Sequence, residues 1–187
     1  MPINNQLTDS VSEENKITPD VIDNLKEPRF VTACNPIIIS RIHLYCKMLL
    51  DFSKNKHDSK EIAYLIDLVN ISLKGVELGT SHNVSISSFS KIIKGIDSKY
   101  LIIHNHPSNL PFSPRDFSTF FSIHNIVILI VIGNRGSIYI LEKTKPYNAK
   151  EKNELLMLSI KYKLNQISFD DVIMNIRKYG VIYIQID

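Results

Sequence analysis

The run Ile126–Ile132 (IVILIVI) is the longest apolar stretch in the chain and limits most what it can become. It is far too short to cross a bilayer. Gly133-Asn134 ends it, and it reads as a buried strand. Asn134-Arg135-Gly136 predicts a hairpin turn, with SIYILEK returning from it. A buried strand needs a core around it, and 187 residues suffice to build one without disulfides or metal staples. Hydrophobic residues make up 44% of the chain and charged residues 22%, as in an ordinary globular domain.

Upstream, EIAYLIDLV and GVELGTSHNVSIS read as two strands, with the hairpin turn in Asn70–Lys74. SSFSKIIKGI predicts a helix from Ser87 or Ser88 to about Lys94, closed by Gly95. YLIIHNHP is a further buried strand, stopped by Pro107, and Ser113-Pro114-Arg115-Asp116 opens a helix towards Ser122. PIIISRIHLYCKMLLDF (Pro36–Phe52) has the spacing of a helix packed on a sheet. The order strand–helix–strand–helix–strand predicts an α/β fold: a mixed, mostly antiparallel sheet over Glu61–Glu142 with helices packed on it.

Three segments follow from this. Residues 1–30 are polar without a period and read as a flexible N-terminal arm, with a short helix around Pro19–Lys26. Residues 31–145 form the domain. Residues 146–187 form a helical extension: an amphipathic helix over Ala149–Gln166 with a solvated lysine face, a second over Asp170–Tyr179 closed by Gly180, and a terminal strand or tail in VIYIQI.

Two scattered cysteines, Cys34 and Cys46, fit a reducing compartment. The first residues carry no apolar signal segment, which points to the cytoplasm, although specialised secretion can export such a chain. A net charge of +3 is too small to argue for nucleic acid as a partner, and nothing argues for a membrane.

The chemistry lies in YLIIHNHPSNLPFSPRD. Alternation along the strand puts His104 and His106 on one face and Asn105 on the other. Both imidazoles can then address one metal. Asp116 stands at the third position of a helix whose cap is Ser113, near the positive end of the helix dipole, where a carboxylate stays ionised. Two histidines and one aspartate leave a fourth tetrahedral position open, as catalytic zinc sites do. The bland readings are a satisfied histidine pair at a strand end and a capping acid; the agreement of Pro107, Ser113 and Asp116 in order weighs against them. His43, His57 and His124 read as surface or packing residues, and His82 is a reserve ligand.

His-x-His-Pro followed by Ser-x-x-Asp resembles the JAMM (MPN+) signature, and HNHPS resembles its RadC-like bacterial branch. So does the flanking order: Leu78-Gly79-Thr80 on a strand, a helix, the strand into HNHP and the helix out of SPRD. The resemblance spans roughly Ser59–Lys143. The loop SNLPF between Pro107 and Ser113 is one residue shorter than is common in RadC-like sequences, and His124-Asn125 stands where the family usually has Asp-His.

The resemblance implies the JAMM, cytidine-deaminase-like, three-layer fold. It also implies zinc on His104, His106 and Asp116, and hydrolysis of a peptide or isopeptide bond by the metal-bound water. The implied substrate is a protein or peptide, with ubiquitin or ubiquitin-like conjugates as the family's class. A glutamate on an earlier strand acts as the base, and the serine, here Ser113, supports the oxyanion. Glu61 and Glu77 are the candidates for the base. Glu61 is preferred, since the start of the first strand is where the family places it; its bland reading is a solvated strand-edge charge. The alternative function is a non-catalytic JAMM-fold interaction module or a RadC-like DNA-associated protein.

Overall fold

The computed structural model describes residues 9–32, 35–93 and 98–187. Its centre is a six-stranded mixed sheet: β1 (Ile62–Asp67), β2 (Ser72–Leu78), β3 (Tyr100–His106), β4 (Ile126–Gly133), β5 (Ile138–Lys143) and β6 (Val181–Ile186), in the order β2-β1-β3-β4-β5-β6. All neighbours pair antiparallel except β3 and β4, which run parallel. A parallel pair needs a crossover, and α3 (Pro114–Ser122) supplies it.

The apolar run behaves as its composition requires. Ile128, Ile130 and Ile132 of β4 join the core on one face of the sheet, while Leu129 and Val131 join the core on the other. A strand with no polar face is covered twice. The first cover is α2 (Pro36–Lys56), which follows a short helix α1 (Pro19–Asp23) and lays Ile42, Cys46, Leu49 and Leu50 into that core. Asn35 caps α2 by accepting from the Ile37 N–H, and Pro36 fills its first turn. The helix runs four residues past the expected Phe52. The second cover is α3 with α4 (Ala149–Lys163) and α5 (Phe169–Ile176), which contribute Phe117, Phe120, Phe121, Leu155, Val172 and Ile176.

Residues 9–30 do not behave as a loose arm. Val11, Ile17 and Leu25 are 3–5% exposed. Polar side chains fasten the same segment: Asp9 pairs with Lys60 at 2.9 Å and accepts from the Ser81 N–H at 2.7 Å. The three apolar anchors are too widely spaced to show a period, so composition alone masks them. Residues 1–8 lie outside the described residues.

The C-terminal segment is likewise continuous with the domain. Gly180, with φ 74°, turns the chain out of a short 3₁₀ segment into β6, which pairs along the whole of β5. The predicted boundary near 145 therefore cuts through one sheet and one core. Ser87–Lys91 forms a 3₁₀ helix rather than the expected α-helix, and Cys34, Lys94 and Gly95 lie outside the described residues. Among the described residues, no helix is long and apolar enough to cross a membrane.

Candidate metal centre

β3 is buried at every position, and alternation sorts its side chains. Ile102 lies in the core beneath α3, and His104 and His106 continue that face to the end of the strand. Both histidines are nearly closed to water, at 3% and 8% exposed. Asn105 takes the opposite face and is fully buried. Its side-chain oxygen accepts from the Ile62 N–H at 2.8 Å, and its amide donates to Lys60 O at 3.1 Å and Asn134 Oδ1 at 2.8 Å. Asn134 donates in turn to the carbonyls of Asn15 and Ser59. Every buried polar group here has a partner, as it must to avoid a desolvation cost. This network fixes the strand end from behind.

Asp116 arrives by the crossover. Ser113 caps α3 in a reciprocal box: Asp116 N–H donates to Ser113 Oγ at 3.2 Å, and the Ser113 N–H and hydroxyl donate to Asp116 Oδ2 at 2.7 and 2.6 Å. The carboxylate is thereby aimed at the histidines. Asp116 Oδ1 lies 3.2 Å from His104 Nε2, Oδ2 lies 3.5 Å from His106 Nε2, and the two Nε2 atoms lie 3.0 Å apart.

These separations fit a metal. A tetrahedral zinc with ligands about 2.0–2.1 Å away sets its ligand atoms roughly 3.3–3.4 Å from one another. Two nitrogens and a carboxylate are also the donor types such a site uses. His106 Nδ1 lies 3.0 Å from Leu110 O; a proton on Nδ1 donates there and leaves the Nε2 lone pair for a cation. His104 Nδ1 is buried with no hydrogen-bond partner among the described residues.

The electrostatics favour the ligating form at Asp116 and His106 and the charged form at His104. Burial opposes a charge on Asp116, but His104 and His106 outweigh it and hold the carboxyl well below the usual range. Burial and the neighbouring His104 lower His106, favouring its neutral, ligating form. Burial also opposes charging of His104, yet the adjacent Asp116 raises it overall.

Glu61 sits just ahead of β1. Ala63 pairs with His104, so extending the antiparallel register brings Glu61 level with His106 and onto the same face. Glu61 keeps its backbone bonded to Thr80 O at 2.9 Å and to the Gly79 N–H at 2.8 Å. Its carboxylate accepts from the Val84 N–H, and burial pushes its pKa up to about 7. With His106, Ser113 and Asp116 it lines a cleft of about 500 Å³. Glu77 stands elsewhere: it pairs across from Ala63 on β2, and the Ser88 hydroxyl donates to it. His82 is exposed at the wall of the Glu61 cleft and is not part of the donor group.

The structure thus brings Glu61, His104, His106, Ser113 and Asp116 together and leaves Glu77 apart. Sequence reasoning missed Asn105 and Asn134 as supports, Val84 as the holder of Glu61, and Tyr162 and Phe169, which wall the cleft from α4 and α5. Only the position of Asn105 between two same-facing histidines signalled any of these. Comparison of the chain with protein-family models, with curated proteins and with solved structures finds no match in any of the three.

Proposed function

We propose that this chain is a zinc-dependent hydrolase of amide bonds, a JAMM-type metallopeptidase or isopeptidase with RadC-like features, acting in the cytoplasm on a protein or peptide that includes ubiquitin-like conjugates in its class. The observation that carries this reading is the convergence of two Nε2 atoms and a capped carboxylate at 3.0–3.5 Å, with the buried Glu61 in the wall of the same cleft. His-x-His-Pro and Ser-x-x-Asp supply the family.

His104, His106 and Asp116 would hold the ion, which when bound supplies a Lewis acid and lowers the pKa of a coordinated water to about 7. Glu61 takes a proton on its carboxylate from the attacking water and returns it to the leaving amine nitrogen. A carboxyl group does both, as base in its ionised form and as acid once protonated. Ser113 orients Asp116 through the helix cap. Its hydroxyl carries one proton, which Asp116 takes in the resting arrangement. Support of an oxyanion therefore needs that hydroxyl to turn towards the substrate.

Metal analysis of the purified protein, combined with a fluorogenic ubiquitin-like substrate and a peptide pool, tests this. We expect about one zinc per chain, loss of the zinc in His106→Ala, and turnover that a chelator stops. Zinc that survives His104→Ala/His106→Ala removes the site assignment. Zinc without turnover on either substrate favours the interaction module.

A further inference from the structure

A second cavity adjoins the donors. It measures about 250 Å³ and lies between α3 and the segment leading into the 3₁₀ helix. Ile102 and Leu129, both buried on the sheet, are among its lining residues, with Val84, Ile86 and Ile123; Ser85, Ser90, Ser118, Thr119 and Ser122 line it as well. His104 and Asp116 belong to the lining of this cavity as well. Apart from those two donors, Arg115 is the only charged side chain among its described lining residues. The larger cleft shares Val84, Arg115 and Asp116 with it and adds Glu61, His106 and Ser113. The donor group therefore stands between two spaces, of which Glu61 lines only the larger.

We propose that the smaller cavity receives an apolar side chain on the acyl side of the scissile amide, so that the substrate carries a leucine- to phenylalanine-sized residue there. The argument rests on the hydrolase reading above. Glu61 lines the larger cleft and not the smaller. It delivers its proton to the leaving nitrogen, so the amine half of the substrate lies on the Glu61 side. The acyl half then extends past His104 and Asp116 into the smaller cavity. An aliphatic or aromatic side chain removes the apolar part of that lining from water, whereas glycine leaves it wet and a carboxylate would face the Asp116 carboxylate with Arg115 as the one cation in the described lining. A conjugate joined through a terminal glycine leaves the cavity unfilled.

The test uses the full chain loaded with zinc and a series of N-acetyl amino-acid hydroxamates (glycine, alanine, leucine, phenylalanine, aspartate), with affinity read by calorimetry. Leucine and phenylalanine should bind roughly tenfold or more tighter than glycine, with aspartate weakest. Thr119→Phe, which fills the cavity, should abolish that preference. Ile123→Ala, which widens it, should move the optimum from leucine to phenylalanine. Equal binding of glycine and leucine by the zinc-loaded wild type overturns the pocket assignment while leaving the hydrolase reading intact. So does a leucine preference that survives both variants. A chain that takes up no zinc overturns the hydrolase reading, and this inference with it.

Discussion

Ile62 donates its backbone N–H to the side-chain oxygen of Asn105 at 2.8 Å, where β1 begins and β3 ends. A side chain thus takes over the role of a ladder partner. The bond ties the residue after Glu61 to the residue between the two histidines. Glu61 and the two histidines are therefore held in register from the far side of the sheet, by a residue that faces away from the cleft.

Asn105→Ala should cost about 2 kcal/mol or more of stability, because it leaves the Ile62 N–H and Asn134 Oδ1 without their partner in a dry interior, while Lys60 O keeps the Ser53 hydroxyl. Denaturant unfolding of the metal-free chain measures this. A loss within about 0.5 kcal/mol, the range of ordinary surface substitutions, would show that the network does not fix the strand end.

Glu61→Gln should lower turnover by about a hundred- to ten-thousand-fold while zinc remains bound, since glutamine keeps the shape of glutamate but cannot take a proton at neutral pH. Glu77→Gln should leave turnover largely intact. Rates on one cleaved substrate, with zinc measured in each variant, decide between them. If Glu77→Gln alone stops turnover, the base is Glu77.

The metal-free protein should lose stability as pH rises towards neutrality through Glu61. Its folded pKa is raised from 4.5 to about 7 by burial. The folded state then binds the proton more tightly than the unfolded chain. The associated stability is fully present below about pH 4.5 and is lost as pH rises through about 7. Glu61→Gln removes this penalty, so the variant should be the more stable of the two at pH 8, by about 3 kcal/mol, and nearly equal to wild type at pH 4.5. Thermal melts at both pH values, with chelator present, check the sign. A variant less stable than wild type at pH 8 contradicts it.

Ser113→Ala should act in two ways. Loss of the cap should cost about 1 kcal/mol, and loss of the hydroxyl bond to Asp116 Oδ2, with the backbone N–H bond retained, should weaken zinc binding about tenfold. Competition with a chelating dye measures the second effect. Unchanged zinc affinity with reduced stability would confine Ser113 to the cap.

How much of this the sequence made legible depends on how local each cause is. His104, His106, Ser113 and Asp116 were readable because strand alternation and a helix cap are set within a few residues. The apolar run showed that β4 is buried but not which helices cover it. Val11, Ile17 and Leu25 were hidden among polar neighbours, so residues 9–30 looked loose though they are packed. β6 looked like a detachable tail because its pairing with β5 reaches across two helices. SSFSKIIKGI carried a serine cap and a closing glycine, yet its described part forms a 3₁₀ turn over Ser87–Lys91. Tyr162 and Phe169 could not be assigned to the cleft without knowing that α4 and α5 fold back over α3.

The parallel pairing of β3 and β4 has a kinetic side. The crossover places the donors His104, His106 and Asp116 within one short stretch of chain, so closing the loop between them costs little entropy. Glu61 reaches the same cleft only when β1 docks against β3 from a distant part of the sequence. The proposed donors are thus joined by low-contact-order contacts and Glu61 by a high-contact-order one. Opening of the β2–β1 edge would part Glu61 from the cleft while leaving His104, His106 and Asp116 together.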